Sequence, residues 1–144
     1  MPDMGSLLQA STPEEAVVAV NPELPRYFRG KVVRIVDGDT IDVVPNDKPN
    51  GRWHRIRLAG IDTPEKRGPT ACPGMAAIAS DVLEDYIASR DYQVQVVVDK
   101  KIGQRWLGEV FTADDKSLRR LMLDSGQARI YFPGASKTEW VGCF

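Results

Sequence analysis

Two short acidic segments hold the residues best suited to chemistry: Val36-Asp37-Gly38-Asp39-Thr40 and Gly60-Ile61-Asp62-Thr63-Pro64-Glu65. Taken singly, each reads as a turn, because Asp-Gly is a hairpin dipeptide and Asp-Thr-Pro ends a strand. Arg57 and Arg105, taken singly, read as solvent-facing strand arginines. Taken together, they suggest a site. If the strands that carry them are neighbours, Asp39 and Asp62 meet, and two carboxylates in one place repel unless a cation sits between them. Hard oxygen ligands of this kind select Ca2+, Mg2+ or Mn2+. His54 is the sole histidine and Cys72 and Cys143 the sole cysteines, so no softer ligand set competes. Glu65, held behind Pro64, can act as a base on a water beside such an ion, or hold that water. Two arginines offer the forked donors that grip phosphodiester oxygens and offset charge in the transition state. Metal, base and arginine pair make a phosphodiesterase site.

The elements needed to position these residues can be read from patterning. Lys31 to Val36 is rich in β-branched residues and ends at Asp37-Gly38, and Asp39 to Val44 alternates again. Pro45 to Gly51 is a loop by composition. Trp53 to Ile61 reads as a third strand, with Trp53, Arg55 and Arg57 on one face and His54, Ile56 and Leu58 on the other. Met75 to Ser89 spaces Ile78, Ala79, Val82, Leu83, Tyr86 and Ile87 as an amphipathic helix. Tyr92 to Val98 and Arg105 to Thr112 are two further strands. Ser117 to Leu123 is a short helix, N-capped at Asp115 or Ser117 and closed by Gly126. The expected fold is α+β, mainly β: a five-stranded OB-fold barrel with one helix between strands 3 and 4 and a short helix after strand 5.

The chain has 144 residues, a length that suits one domain, with 19 Lys and Arg against 20 Asp and Glu and a net charge of −1. Such a balance argues against a protein that coats nucleic acid with its whole surface. Residues 1–30 carry −2 and residues 31–144 carry +1, so a bound Ca2+ would bring the main domain near +3. Residues 1–28 read as a flexible, acidic, proline-punctuated arm, with one short helix capped at Thr12 before Pro13, and 29–144 as the domain. No apolar run is long enough to span a membrane, and Met1 to Ala10 lacks the basic region of a signal peptide. The expectation is a cytoplasmic protein or a trimmed secreted or periplasmic form. Cys72 and Cys143 either pair, closing a loop of about 70 residues at a gain of roughly 3–4 kcal/mol, or stay as thiols.

At this point the residues resemble the staphylococcal-type thermonucleases, Ca2+-dependent nucleases on an OB-fold. The resemblance lies in VVRIVDGDTIDV at Val32 to Val43, RIRLAGIDTPE at Arg55 to Glu65, and RWLGEV at Arg105 to Val110. It runs from about Gly30 to the C-terminus. It implies Asp39 and Asp62 as side-chain ligands of one Ca2+, with Thr63 adding its carbonyl. It implies Glu65 as general base or water-orienting residue, and Arg57 and Arg105 as phosphate-binding and transition-state arginines. The implied reaction is hydrolysis of DNA and RNA, preferably single-stranded, leaving 3′-phosphate ends, by a monomer that needs no membrane. Two departures stand out. Gly103-Gln104 precedes Arg105 where the family usually has Tyr-Gly, and the chain resembles the short bacterial and phage-type members that lack a third helix. Trp140 is expected to cover the core in that helix's place.

Other residues carry two readings each. Tyr131 is either a nucleotide-pocket residue or a core tyrosine. Trp53 and Trp106 are of the type that stacks bases, but aromatic strand residues more often pack, and packing is expected. Lys66 and Lys101 are candidate substrate contacts. With Lys48, Arg52, Arg55, Arg67 and Lys100 they form either a solvated face or a basic rim that steers a polyanion. A non-catalytic OB module that binds single strands or a protein partner is the competing reading, and a purely structural OB domain is a third.

Overall fold

A computed structural model describes residues 8–19, 27–68, 71–131 and 140. Helix α1 (Pro13–Ala19) precedes strands β1 (Tyr27–Asp37), β2 (Thr40–Pro45), β3 (His54–Leu58) and β4 (Ile61–Asp62). Helix α2 (Pro73–Ala88) leads to β5 (Gln93–Ile102) and β6 (Arg105–Thr112). Helix α3 (Leu118–Asp124) and β7 (Arg129–Ile130) complete the described elements.

The main sheet is a closed barrel in the order β1-β2-β3-β6-β5. Every pairing is antiparallel except β3 with β6, which run parallel with Arg55 opposite Arg105 and Arg57 opposite Leu107. Alternation along β2 and β3 sends Ile41, Val43, Ile56 and Leu58 inward, all fully buried. The apolar stripe of α2, Ala79, Leu83 and Ile87, joins them with Val96 and Val110 in one core. Each buried Val, Leu or Ile side chain contributes roughly 1.5–3 kcal/mol by leaving water. The fold is therefore the expected α+β barrel with one helix between its third and fourth strands. Among the described residues, no helix is long and apolar enough to cross a membrane.

Four details differ from the sequence reading. The third run does not continue to Ile61. It breaks at Ala59-Gly60, where Gly60 takes a φ of +79° that a side chain would resist. The segment beyond becomes β4, which pairs with β7 instead of the barrel (Ile61 with Ile130, Asp62 with Arg129). Next, β5 runs to Ile102 rather than Val98, because an irregularity between Val98 and Lys100 lets a polar stretch stay in register with β6. The third difference is small: α2 starts at Pro73, since proline suits the first turn where its missing N–H costs nothing.

The fourth concerns the N-terminal segment. Thr12 does cap α1: its Oγ1 accepts from the Glu15 backbone N–H at 3.3 Å, and the Glu15 carboxylate accepts from the Ser11 N–H at 3.4 Å. The described part of the arm is docked, however. Ala10 and Ala16 are buried with Ala59, Val97 and Phe111 in a second, smaller cluster on the barrel's flank. Leu8 lies over the bare backbone of Gly60. Small alanines let α1 approach closely, which is why its weak apolar pattern understates its packing. Residues 1–7 and 20–26 lie outside the described residues.

Candidate active site

The cleft forms where β1, β2, the β3–β4 turn and the tip of β6 meet. Asp37 and Thr40 pair across the β1–β2 hairpin, leaving Gly38-Asp39 as its turn. Glycine is needed at 38 for closeness: a Cβ there would stand 2.8 Å from Ala79 Cβ and 3.2 Å from Thr63. Helix α2 thus presses the turn against the second acidic segment. Asp39 is buried and each of its carboxylate oxygens has a partner. Oδ1 accepts from Thr40 Oγ1 at 2.9 Å, and Oδ2 accepts from the Thr63 backbone N–H at 3.2 Å. That second bond joins the two motifs directly.

Arg57 lies between the acids. Its Nη1 is 3.0 Å from Asp39 Oδ2, and its Nη2 is 3.8 Å from Asp62 Oδ1. Nη1 also donates to the carbonyls of Ile61 at 3.0 Å and Leu58 at 3.3 Å. The cation that two adjacent carboxylates require is here the guanidinium. Tyr131 adds its ring 5.9 Å from the Arg57 carbon, and its backbone N–H donates to Gly60 O at 2.9 Å.

The open cleft, of about 440 Å3, is lined by Arg34, Asp37, Asp39, Arg57, Thr63, Glu65, Lys66, Arg67 and Arg105. Five cations face three acids, so its wall favours a polyanion. Lys66 is tethered over the opening by its Nζ, which donates to Val36 O at 3.0 Å. Glu65 is half-buried on the rim, with its backbone bridged to Ala71 and its carbonyl accepting from Cys72 N–H at 2.8 Å. Asp37 was not singled out as a site residue from the sequence. Burial and the neighbouring Asp39 push its carboxyl above the usual range, and Lys66 and Arg57 pull it back only in part. Arg34 was also missed, because on an exposed β-strand nothing distinguishes it from a solvated arginine. Its position three residues before the hairpin pair at Asp37 was the only clue.

The structure separates the rest of the basic set. Arg67 reaches the cleft, and Arg55 lines a groove beside it. Lys101 does not line the cleft; its Nζ lies 6.0 Å from the Trp106 ring, on the far part of the β5–β6 hairpin. Lys48, Arg52 and Lys100 line neither concavity. Trp106 packs as expected, stacked on His54 at 4.2 Å and edge-on to Phe28. Burial and the nearby Lys101 and Lys48 lower the His54 pKa. Trp53 does not pack away: it is 52% exposed. Trp140 is half-buried with Arg129 over its ring at 4.8 Å. Cys72 is buried at the start of α2 and is disulfide-bonded, while its expected partner Cys143 lies outside the described residues.

Asp39, Asp62 and the Thr63 carbonyl are oxygen donors of the kind that hard divalent cations take. Among the described residues there is no group of three or more His, Cys, Asp or Glu arranged around one point. A cation here would meet two carboxylates and complete its shell with carbonyl and water oxygens, a ligand count compatible with Mg2+ or Ca2+.

The chain is 32% identical over 110 residues to an "Uncharacterized endonuclease" of Escherichia coli O157:H7, covering 76% of this chain and 65% of that protein. It is 47% identical over 64 residues to a "Micrococcal nuclease" of Shigella flexneri, covering 43% and 34%. It is 34% identical over 88 residues to a "Thermonuclease" of Staphylococcus hyicus, covering 55% and 48%. The chain thus spans less than two thirds of the length of these curated relatives. The profile described as "Staphylococcal nuclease homologue" matches residues 55–140, a stretch that starts inside β3 and takes in Arg57, Asp62, Glu65 and Arg105. More than half of the sequence falls under that profile, and on this ground the chain belongs to the staphylococcal nuclease homologue family.

Proposed function

We propose that the protein is a nuclease that hydrolyses phosphodiester bonds of DNA and RNA, with single strands preferred, using one Ca2+ and leaving 3′-phosphate ends. The observation that carries this reading is the convergence on one basic cleft of Asp39, Arg57, Glu65 and Arg105, with Asp62 behind Arg57. A divalent cation held by Asp39, Asp62 and the Thr63 carbonyl would supply positive charge to a phosphoryl oxygen and to a nearby water. Glu65 takes a proton from the water that attacks phosphorus in line. The bond from phosphorus to the 5′-oxygen breaks as the new P–O bond forms, and the departing oxygen takes up a proton from solvent. Arg57 and Arg105 hold the equatorial oxygens and offset the charge that builds there. Lys66 and Tyr131 flank this centre and are proposed to contact the substrate. Lys101 does not line the cleft, and its proposed contribution to substrate binding is through its charge. The protein acts as a monomer.

The test is degradation of single-stranded DNA with Ca2+, with and without chelator. Ca2+-dependent cleavage is expected, along with 3′-phosphates that block extension by a polymerase until a phosphatase removes them. Absence of cleavage with Ca2+, Mg2+ and Mn2+ at alkaline pH would overturn the proposal in favour of a binding module. Chelator-resistant activity would remove the metal from it.

A further inference from the structure

We propose that the groove next to the cleft is a base-stacking subsite, built on Trp53, for a nucleotide flanking the one whose phosphodiester is cut. This rests on the nuclease reading of the cleft. The groove, of about 370 Å3, is lined by Trp53, Arg55, Ile102 and Gln104, and it shares Val36, Asp37, Thr40 and Arg105 with the cleft. The two concavities are therefore adjacent, with Arg105 on the border they share.

Three observations give the groove its chemistry. Trp53 exposes 52% of its surface at the edge of β3, where burial would ordinarily claim an indole. The Arg55 guanidinium covers the Trp53 ring at 5.1 Å. Arg55 is itself fixed, because Nε and Nη2 grip the two oxygens of buried Asp42 at 2.9 and 3.0 Å. This fork leaves little freedom for Arg55, so the indole above it is held in place before any ligand arrives, and the entropy lost on stacking is smaller. Asp42 also resolves a conflict. The β3–β6 register sets Arg55 beside Arg105, and like charges in register repel. With Arg55 neutralised by Asp42, Arg105 remains the groove's cation for a phosphate, while the Trp53 face takes the base. Stacking on an indole accepts any base, so the subsite lengthens the binding site without adding sequence preference.

The experiment is a fluorescence-anisotropy titration of a labelled oligothymidylate of about eight nucleotides, within the range one OB fold spans. A labelled dithymidylate is the short comparison, and chelator blocks hydrolysis. Trp53→Ala is expected to weaken binding of the longer strand about 5- to 150-fold and of the dinucleotide far less. Trp53→Phe keeps most of the affinity. Equal losses for both lengths, an unchanged affinity in Trp53→Ala, or no binding by the parent protein would each overturn the subsite. The two readings fail separately. A parent that binds the longer strand through Trp53 but cuts nothing sinks the nuclease and leaves the subsite standing. A parent that cuts with no Trp53 effect does the reverse.

Discussion

Arg57 and Arg119 both face buried carboxylates, in opposite kinds of surroundings. Glu109 is fully buried, and Arg119 Nε meets its Oε2 at 2.9 Å. The Val110 N–H and the Ser117 side chain supply further bonds to Glu109, and Arg119 Nη2 donates to Leu8 O at 2.6 Å. Everything about this pair is enclosed, and it ties α3 and the docked N-terminal segment to β6. Arg57 instead holds two acids at the wall of an open cleft, within reach of solvent and ligand. The contrast shows what separates a charge enclosed by the fold from one placed at an open cleft. The first has every partner inside the protein. The second has two carboxylates sharing one cation at a place where another cation can enter.

The comparison can be broken by experiment. Arg119→Met, which keeps the stem but removes the charge, is expected to cost about 3–5 kcal/mol in urea unfolding, because the buried Glu109 loses its counter-charge. Burial already raises the Glu109 pKa, and Arg119 is the main influence lowering it. Without Arg119 the folded value rises further. A carboxyl whose folded pKa exceeds its unfolded one binds a proton on folding, so stability falls as pH climbs above about 4.3 toward the folded value. The Arg119→Met deficit should therefore be greatest at neutral pH and shrink on acidification. A pH-independent deficit would show that Glu109 is not the cause.

Glu65→Ala and Arg105→Ala should each lower the cleavage rate at least ~100-fold, about 2.7 kcal/mol of barrier. Their unfolding midpoints should barely move, the reverse of Arg119→Met. Arg57→Met should fall between, losing about 1.5–3 kcal/mol of stability as its charged hydrogen bonds disappear. Added Ca2+ should restore more stability to Arg57→Met than it adds to the parent, since ligand binding to the native state shifts unfolding. Equal Ca2+ responses would remove the idea that guanidinium and metal serve the same carboxylates. Ser117→Ala should leave cleavage unchanged and cost about 1 kcal/mol through the α3 cap, where Ser117 Oγ accepts from the Arg120 N–H at 3.3 Å, with roughly 1.5 kcal/mol more from its lost bond to Glu109.

How far the sequence reveals all this depends on the range of the interaction. The barrel strands and α2 were legible because their signal is local alternation or helical spacing. Even the end of α3 was readable: Gly126 follows it with a φ of +79°, and the Gln127 N–H reaches Met122 O at 3.1 Å, as a glycine-closed helix requires. The Gly60 break was not, since Trp53 to Leu58 alternates and the apolar Ala59 and Ile61 prolong the run, and only the tertiary pairing of β4 with β7 shows that the strand has changed sheets. The docking of α1 was hidden for a related reason, because alanines bury little area and signal packing weakly. At the site, Asp39, Arg57 and Glu65 were readable because contiguous motifs carry them. The Asp37 environment, the exposure of Trp53 and the turning away of Lys101 depend on which strands end together, and spacing does not report that.

The parallel pairing of β3 with β6 also has a consequence for how the protein is made. Chains leave the ribosome N-terminus first, at about 5–20 residues per second, and domains fold as units. The segment from Tyr27 to Asp62 emerges early and bears Asp39, Arg57 and Asp62. Its free edge at β3 finds a partner only after β6 has followed, with all of α2 and β5 synthesised between them. Arg105 arrives on that same closing strand. Synthesis order therefore keeps the cleft unfinished until the barrel can shut, because a nascent chain that has not yet exposed Arg105 lacks part of the cleft's basic lining.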